Sequence, residues 1–111
     1  MKKVVLFLDD MRDIRDYVNC RSANAYQARD YNSFINFAET LYENYGKIDE
    51  VWFDHDLGDD SKSGYDCARW LVDYCIKNNF NLPAYKIQSA NPVGKANIDS
   101  IFKTYYKIFG K

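Results

Sequence analysis

Short apolar segments alternate with amphipathic segments along the 111-residue chain. Residues 4–8 form a continuous run of β-forming side chains that ends at two aspartates. Such a run is typical of a strand buried on both faces of a parallel sheet. Residues 48–53 repeat the pattern and again end in an aspartate, and weaker strands are predicted at 24–29 and 85–88. Residues 13–19 have room for one or two helical turns.

Three longer segments place apolar residues at helical spacing, namely 34–45, 65–76 and 98–105. Gly46 is expected to end the first of these helices. Ser63 and Asp66 fit a variant of the capping box at the start of the second. Asn91 and Pro92 are expected to begin the third as its N-cap and first helical residue.

The alternation of strands and helices indicates one α/β domain over residues 1–111, with a mainly parallel sheet of about four strands. Apolar residues make up 47% of the chain, which excludes a disordered or low-complexity protein. Fifteen basic and sixteen acidic residues exclude nucleic-acid binding through bulk charge. Three cysteines without a CxxC pair argue against a disulfide framework, and no apolar run reaches membrane-spanning length. We therefore expect a soluble, cytoplasmic protein.

The acidic residues are skewed towards aspartate, with 13 Asp and 3 Glu. Asp9 and Asp10 follow the first strand, and Asp54 and Asp56 follow the third strand. Ligands of parallel sheets bind beyond the carboxyl ends of the strands, so we expect these carboxylates to converge there. Converging carboxylates repel one another unless a cation joins them. They predict a site for Mg²⁺ or another hard divalent cation, whereas the plainer interpretation is that they only cap the following helices.

Two further side chains near these strand ends are candidates for phosphate chemistry. His55 is the only histidine, and its ordinary pKa of about 6.5 suits a general acid or base. The alternative for His55 is a purely structural role. Arg12 offers a planar fork that matches phosphate geometry. Asp13 and Asp16, by contrast, are interpreted as helix-capping residues.

The segment after the fourth strand predicts an anion site at the start of the last helix. It places the Ser89 hydroxyl, the Asn91 amide and the Lys95 ammonium near backbone N–H groups that have no partner within the helix. Gly94 would let a ligand approach the backbone closely. A simple N-cap is the alternative interpretation of this segment.

The aspartates after strands one and three resemble those of receiver domains in bacterial response regulators. In that family the acidic pair, here Asp9 and Asp10, binds Mg²⁺, and the third aspartate, here Asp54, accepts a phosphoryl group. Ser89 and Gly64 match further receiver positions. The resemblance implies a three-layer, flavodoxin-like, doubly wound fold.

The chain resembles a divergent branch more closely, the cyclic-phosphate processing receiver-like domains. The segments similar to its signatures are 7–12, 53–58, 63–66 and 89–94. This resemblance implies action on a cyclic phosphate of a nucleotide or of an RNA-repair product. Two departures stand out: the fifth strand of receivers and the lysine after it are expected to be absent, and Gln88 stands where the branch tends to have histidine. The Gln88 amide can hydrogen-bond a phosphate but cannot act as an acid or base.

Three functions stay open at this point. The first is an Mg²⁺-dependent phosphoesterase in which the aspartates hold the metal and His55 moves a proton, with water or Asp54 as nucleophile. Arg12, Ser89 and Asn91 would bind the phosphate. The second is a phosphorylation switch with Asp54 as acceptor, and the third is a non-catalytic interaction domain. The expected partner is a small phosphorylated nucleotide or RNA end, with no membrane partner, and the sequence leaves the oligomeric state open.

Overall fold

The computed structural model describes residues 2–19, 21–54, 62–88 and 92–109. Within these ranges the elements are β1 (Lys3–Leu8), a 3-10 helix (Ile14–Asp16), β2 (Ala23–Ala28), α1 (Tyr31–Tyr45), β3 (Glu50–Phe53), α2 (Gly64–Asn78), β4 (Ala84–Ile87) and α3 (Pro92–Phe109). Each element predicted from the hydrophobic pattern is therefore present. None of the described helices combines the length and the apolar character needed to cross a membrane.

The four strands form one sheet in the order β2-β1-β3-β4, and every neighbouring pair is parallel. Phe7 of β1 lies opposite Gln27 of β2 on one side and Trp52 of β3 on the other. The central strands β1 and β3 are the two with continuous apolar runs, because central strands are covered on both faces. This topology confirms the receiver-like α/β fold and sets the carboxyl ends of β1 and β3 side by side.

All three α-helices pack on the same face of the sheet. That face buries alternate strand residues together with residues of each helix: Val4, Leu6, Leu8, Val51, Phe53, Phe34, Ala38, Leu71, Ile98 and Phe102. The Phe53 ring lies 5.7 Å from the Phe34 ring of α1 and 5.6 Å from the Phe102 ring of α3, measured between centroids. Full burial of one such side chain stabilises the fold by about 1.5–3 kcal/mol.

The opposite face of the sheet carries a thinner layer. Val5, Phe7 and Trp52 are buried there, and Ile14 of the 3-10 helix packs against them. The Tyr17 ring stacks on Phe7 with centroids 5.7 Å apart. A three-layer arrangement was expected. Among the described residues, the third layer consists of a short 3-10 helix and the chain beside it.

Local capping explains where the helices begin and end. α1 starts at Tyr31, three residues before its apolar repeat, because the Asp30 side chain accepts a 2.8 Å hydrogen bond from the Ser33 N–H. Gly46 ends α1 as predicted, with a left-handed φ of 73° that glycine adopts without strain. The predicted capping box of α2 is confirmed, since Ser63 N–H donates to the Asp66 carboxylate at 2.8 Å. The N-cap predicted for α3 falls on residue 91, outside the described residues.

Candidate metal and phosphate site

Three carboxylates converge where β1 and β3 end. One oxygen each from Asp9, Asp10 and Asp54 lies within 4.8 Å of the other two. Asp9 is fully buried, Asp54 is 7% exposed, and Asp10 is half-buried. Carboxylates this close repel one another when ionised, and burial strengthens that repulsion. The donor set consists of hard anionic oxygens and therefore fits a divalent cation such as Mg²⁺.

Asp9 is held in place by the turn that follows β1. Its Oδ1 accepts hydrogen bonds from the backbone N–H groups of Met11 at 2.9 Å and Arg12 at 2.8 Å. Its Oδ2 accepts from Arg12 Nη1 at 2.9 Å, which makes an ion pair. The hydrogen bond to Asp9 and then the charge of Asp9 raise the pKa of Arg12. The chain itself therefore holds the buried Asp9 carboxylate in place.

Gln27 of β2 holds the same turn from the neighbouring strand. Its Oε1 accepts from Ile14 N–H at 3.0 Å, and its Nε2 donates to the backbone carbonyls of Asp9 at 3.1 Å and Arg12 at 2.6 Å. Arg29 Nη1 donates to the Asp10 carbonyl at 3.3 Å. Gln27 was not among the residues predicted from the sequence. The one feature that could have indicated it is a polar side chain near the end of a predicted strand.

The end of β4 borders the same corner of the sheet. Gln88 N–H continues the ladder by donating to the Phe53 carbonyl at 2.7 Å, and the Gln88 carbonyl accepts a long 3.4 Å bond from Arg12 Nη1. The Gln88 side-chain oxygen is buried and has no hydrogen-bond partner among the described residues. The backbone carbonyl of Gln88 therefore lies at the corner that holds Asp9 and Arg12.

The structure brings together Asp9, Asp10, Asp54 and Arg12 among the residues singled out from sequence. The other candidates from sequence at this site, His55, Asp56, Ser89 and Asn91, lie outside the described residues.

The last two candidates belong to the first turn of α3. Gly94 is buried there, and Lys95 is exposed. Asp99, one turn later, has its pKa lowered by hydrogen bonds from Lys103 and Tyr85 and, to a lesser degree, by the Lys95 charge. A role for Lys95 in phosphate binding stays a prediction.

Known proteins similar to this chain show its family and its fold. A family model described as "Cyclic-phosphate processing Receiver domain" matches residues 4–104. No curated protein matches the chain. A solved structure, described as yeast Spc42 trimeric coiled-coil amino acids 181-211 fused to another structure, is similar with a TM-score of 0.62 and 15% identity. The similarity covers 91% of this chain and 63% of that chain, and at such low identity it shows the fold alone.

Proposed function

The chain belongs to the cyclic-phosphate processing receiver family, and we propose that it is a phosphoesterase that opens a cyclic phosphate on a nucleotide or an RNA-repair product. The observation that carries the proposal is the convergence of three carboxylate oxygens within 4.8 Å in a largely buried corner of the sheet. A non-catalytic domain has no need of this arrangement, because buried like charges without a cation destabilise the fold.

In this proposal Asp9, Asp10 and Asp54 hold Mg²⁺, with Asp56 as a further carboxylate next to them in sequence. When bound, the ion polarises the phosphoryl oxygens and offsets the negative charge of the phosphate. The backbone N–H groups of Met11 and Arg12 that bind Asp9 Oδ1 hold that carboxylate in a fixed orientation.

The remaining roles fall to side chains around the carboxylates. Arg12 binds the phosphate through its guanidinium, whose planar fork matches two phosphoryl oxygens. Ser89 and Asn91 add hydrogen bonds at the start of α3, where backbone N–H groups favour anions. His55 follows Asp54 in the chain and transfers a proton to the leaving oxygen as the ring opens. The nucleophile is water, or Asp54 itself through an aspartyl-phosphate.

A substrate panel tests this function. The protein is incubated with Mg²⁺ and a set of 2′,3′-cyclic nucleotides and ADP-ribose cyclic phosphate, and monophosphate products are separated by chromatography. We expect at least one substrate to be opened, with loss of activity in a chelator and in Asp54→Ala. Asp73→Ala is the matched control, because Asp73 is exposed on α2, away from the carboxyl ends of the strands.

Two results would contradict the proposal. One is no turnover of any panel member, and the other is equal turnover by the wild type and Asp54→Ala. Stable labelling of Asp54 by acetyl phosphate, without turnover, would instead support a receiver-like phosphorylation switch built on the same carboxylates.

A further inference from the structure

Arg12 occupies an unusual position for a residue that is to bind phosphate, because its guanidinium already forms a hydrogen bond with Asp9, one of the three clustered carboxylates. Arg12 Nη1 lies 2.9 Å from Asp9 Oδ2. The other oxygen, Oδ1, accepts two backbone N–H groups, which use both of its lone pairs. A cation that binds Asp9 must therefore use Oδ2, the oxygen that Arg12 contacts.

A divalent ion and a guanidinium on one oxygen atom are two cations within a few ångströms of each other. Two cations this close repel each other strongly, because the protein surface screens charge less than bulk water does. One of the two contacts to Oδ2 must therefore weaken when the other strengthens.

Apart from Asp9 and the nearby charge of Asp54, little in the described structure holds the Arg12 side chain where it is. Its second contact, to the Gln88 carbonyl, is long at 3.4 Å, and 40% of the side chain is exposed to solvent. The ion pair with Asp9 is thus the main bond of a side chain that has space to turn outwards. A phosphate ligand also reaches this site from the solvent.

We propose that Arg12 is the internal counter-ion of Asp9, that a divalent cation displaces it from Oδ2, and that the released guanidinium then binds the phosphate of the ligand. This rests on the metal site of the proposed function. It predicts effects of opposite sign when Arg12 is replaced. Metal affinity rises because a competitor is removed, and phosphate affinity falls because a ligand group is removed.

Arg29 supplies a matched control. It also approaches the cluster, but its Nη1 donates to the uncharged backbone carbonyl of Asp10 at 3.3 Å and not to a carboxylate. Removing Arg29 takes away the same unit of charge near the same place without removing a competitor for Asp9 Oδ2. Its replacement therefore measures the general effect of charge.

The experiment is a calorimetric titration with Mg²⁺, followed by a titration with inorganic phosphate in saturating Mg²⁺, on wild type, Arg12→Gln and Arg29→Gln. For Arg12→Gln we expect about tenfold tighter Mg²⁺ binding and about tenfold weaker phosphate binding, each equivalent to about 1.4 kcal/mol. Arg29→Gln should change either affinity by less than about threefold. Arg12→Met, which keeps an apolar side chain of similar length, repeats the test if the glutamine variant does not fold.

The outcomes separate this inference from the proposed function. If wild type binds Mg²⁺ and the Arg12 variants bind it equally or more weakly, the counter-ion role is wrong and the metal site stands. If neither wild type nor the variants bind Mg²⁺, both ideas are wrong. Binding by the variants alone would support the counter-ion role and contradict a metal-dependent function of the wild-type chain.

Discussion

Two carboxylate-bearing regions of the sheet differ in how their negative charge is compensated. At the carboxyl ends of β1 and β3, Asp9, Asp10 and Asp54 lie together, and Arg12 forms an ion pair with the first of them. Three carboxylates and one guanidinium leave an excess of negative charge in this group. Burial makes that excess unfavourable, so the region is suited to a cation from solution.

At the opposite end of β3, Glu50 is surrounded by partners from the chain itself. Its carboxylate lies 3.5 Å from the Lys3 ammonium and 3.8 Å from the Lys86 ammonium, and it accepts a hydrogen bond from the Trp52 indole N–H. The Lys86 ammonium also lies over the Trp52 ring, 4.6 Å from its centroid. This group carries no excess negative charge.

The difference teaches where to look for function among acidic residues. Glu50 lies at the start of a strand, where each neighbouring strand supplies a lysine two residues away from the position that pairs with Glu50, and its role is structural. Asp9 and Asp54 lie just beyond strand ends, and the turn after β1 supplies two backbone N–H groups that fix the Asp9 carboxylate. Several carboxylates that meet at strand ends are a candidate ligand site, whereas a single carboxylate between two lysines is not.

The largest effect that separates the two regions is expected from Asp54→Asn. The amide keeps the shape of the side chain but removes one anionic ligand, so Mg²⁺ affinity should fall about 100-fold or more. Without metal, the free energy of unfolding should stay the same or rise by about 1 kcal/mol, because repulsion within the cluster is relieved. Mg²⁺ titration and urea unfolding check the two parts, and lower stability in metal-free buffer would argue against a repulsive cluster.

The next effect concerns the hydrogen bonds that hold the turn after β1. Gln27→Ala leaves Ile14 N–H and the Asp9 and Arg12 carbonyls without their side-chain partner, which should cost about 2 kcal/mol of stability. Mg²⁺ affinity should fall with it, since Asp9 is less firmly placed. Asn24→Ala, another amide on β2, is the control and should cost less than about 0.5 kcal/mol in urea unfolding. Equal losses for the two variants would show that Gln27 has no special role.

A smaller effect is expected from Glu50→Gln. Lys3 and Lys86 are 68% and 57% exposed, so their ion pairs with Glu50 are screened, and the loss should be about 0.5–1 kcal/mol. Mg²⁺ affinity should be unchanged, because Glu50 lies at the start of β3 and the carboxylate cluster lies beyond its end. A clear change in Mg²⁺ binding would contradict the division between the two regions.

The smallest effect concerns Asp13, a carboxylate outside both regions, which forms an ion pair with Arg15. Its hydrogen bond from the Arg15 side chain lowers the pKa of Asp13 from 3.8 to about 2. A lowered pKa in the folded state means that the stabilisation is present above about pH 4 and is lost as the pH falls towards 2. NMR titration of the Asp13 carboxyl should show this low pKa in wild type and a higher pKa in Arg15→Gln, still below 3.8 because the backbone N–H of residue 15 keeps its hydrogen bond to Asp13. An unchanged midpoint in the variant would mean that Arg15 is not the cause.

The sequence predicted the central elements well, because their hydrophobic pattern is set by burial. After their charged first residues, Lys3 and Glu50, β1 and β3 are apolar on both faces, and the aspartates follow directly where the two strands end. The first turn of α1 could not be placed from apolar spacing, since it depends on the capping interaction of Asp30 and Ser33. The expected third layer also depends on packing between distant segments, which spacing within one segment does not reveal.

In the candidate site, too, some residues could be predicted from the local sequence, whereas others depend on contacts between distant segments. Asp9, Asp10 and Asp54 were predicted to meet because parallel strand ends share one edge of a sheet. The contribution of Gln27 was not predictable, because it requires the register that sets β2 against β1, across 15 to 18 residues of sequence. Arg12 and Asp9 are close in sequence, but which Asp9 oxygen Arg12 contacts depends on the conformation of the folded turn.

The cation site can be located most directly by NMR with Mn²⁺, a paramagnetic ion that takes the same oxygen ligands as Mg²⁺. Traces of Mn²⁺ should broaden the amide signals of residues 9–12 and of Asp54 first, excess Mg²⁺ should reverse the broadening, and Asp54→Asn should abolish it. Broadening that begins around Glu50, or equal broadening over the whole surface, would contradict a metal site at the strand ends.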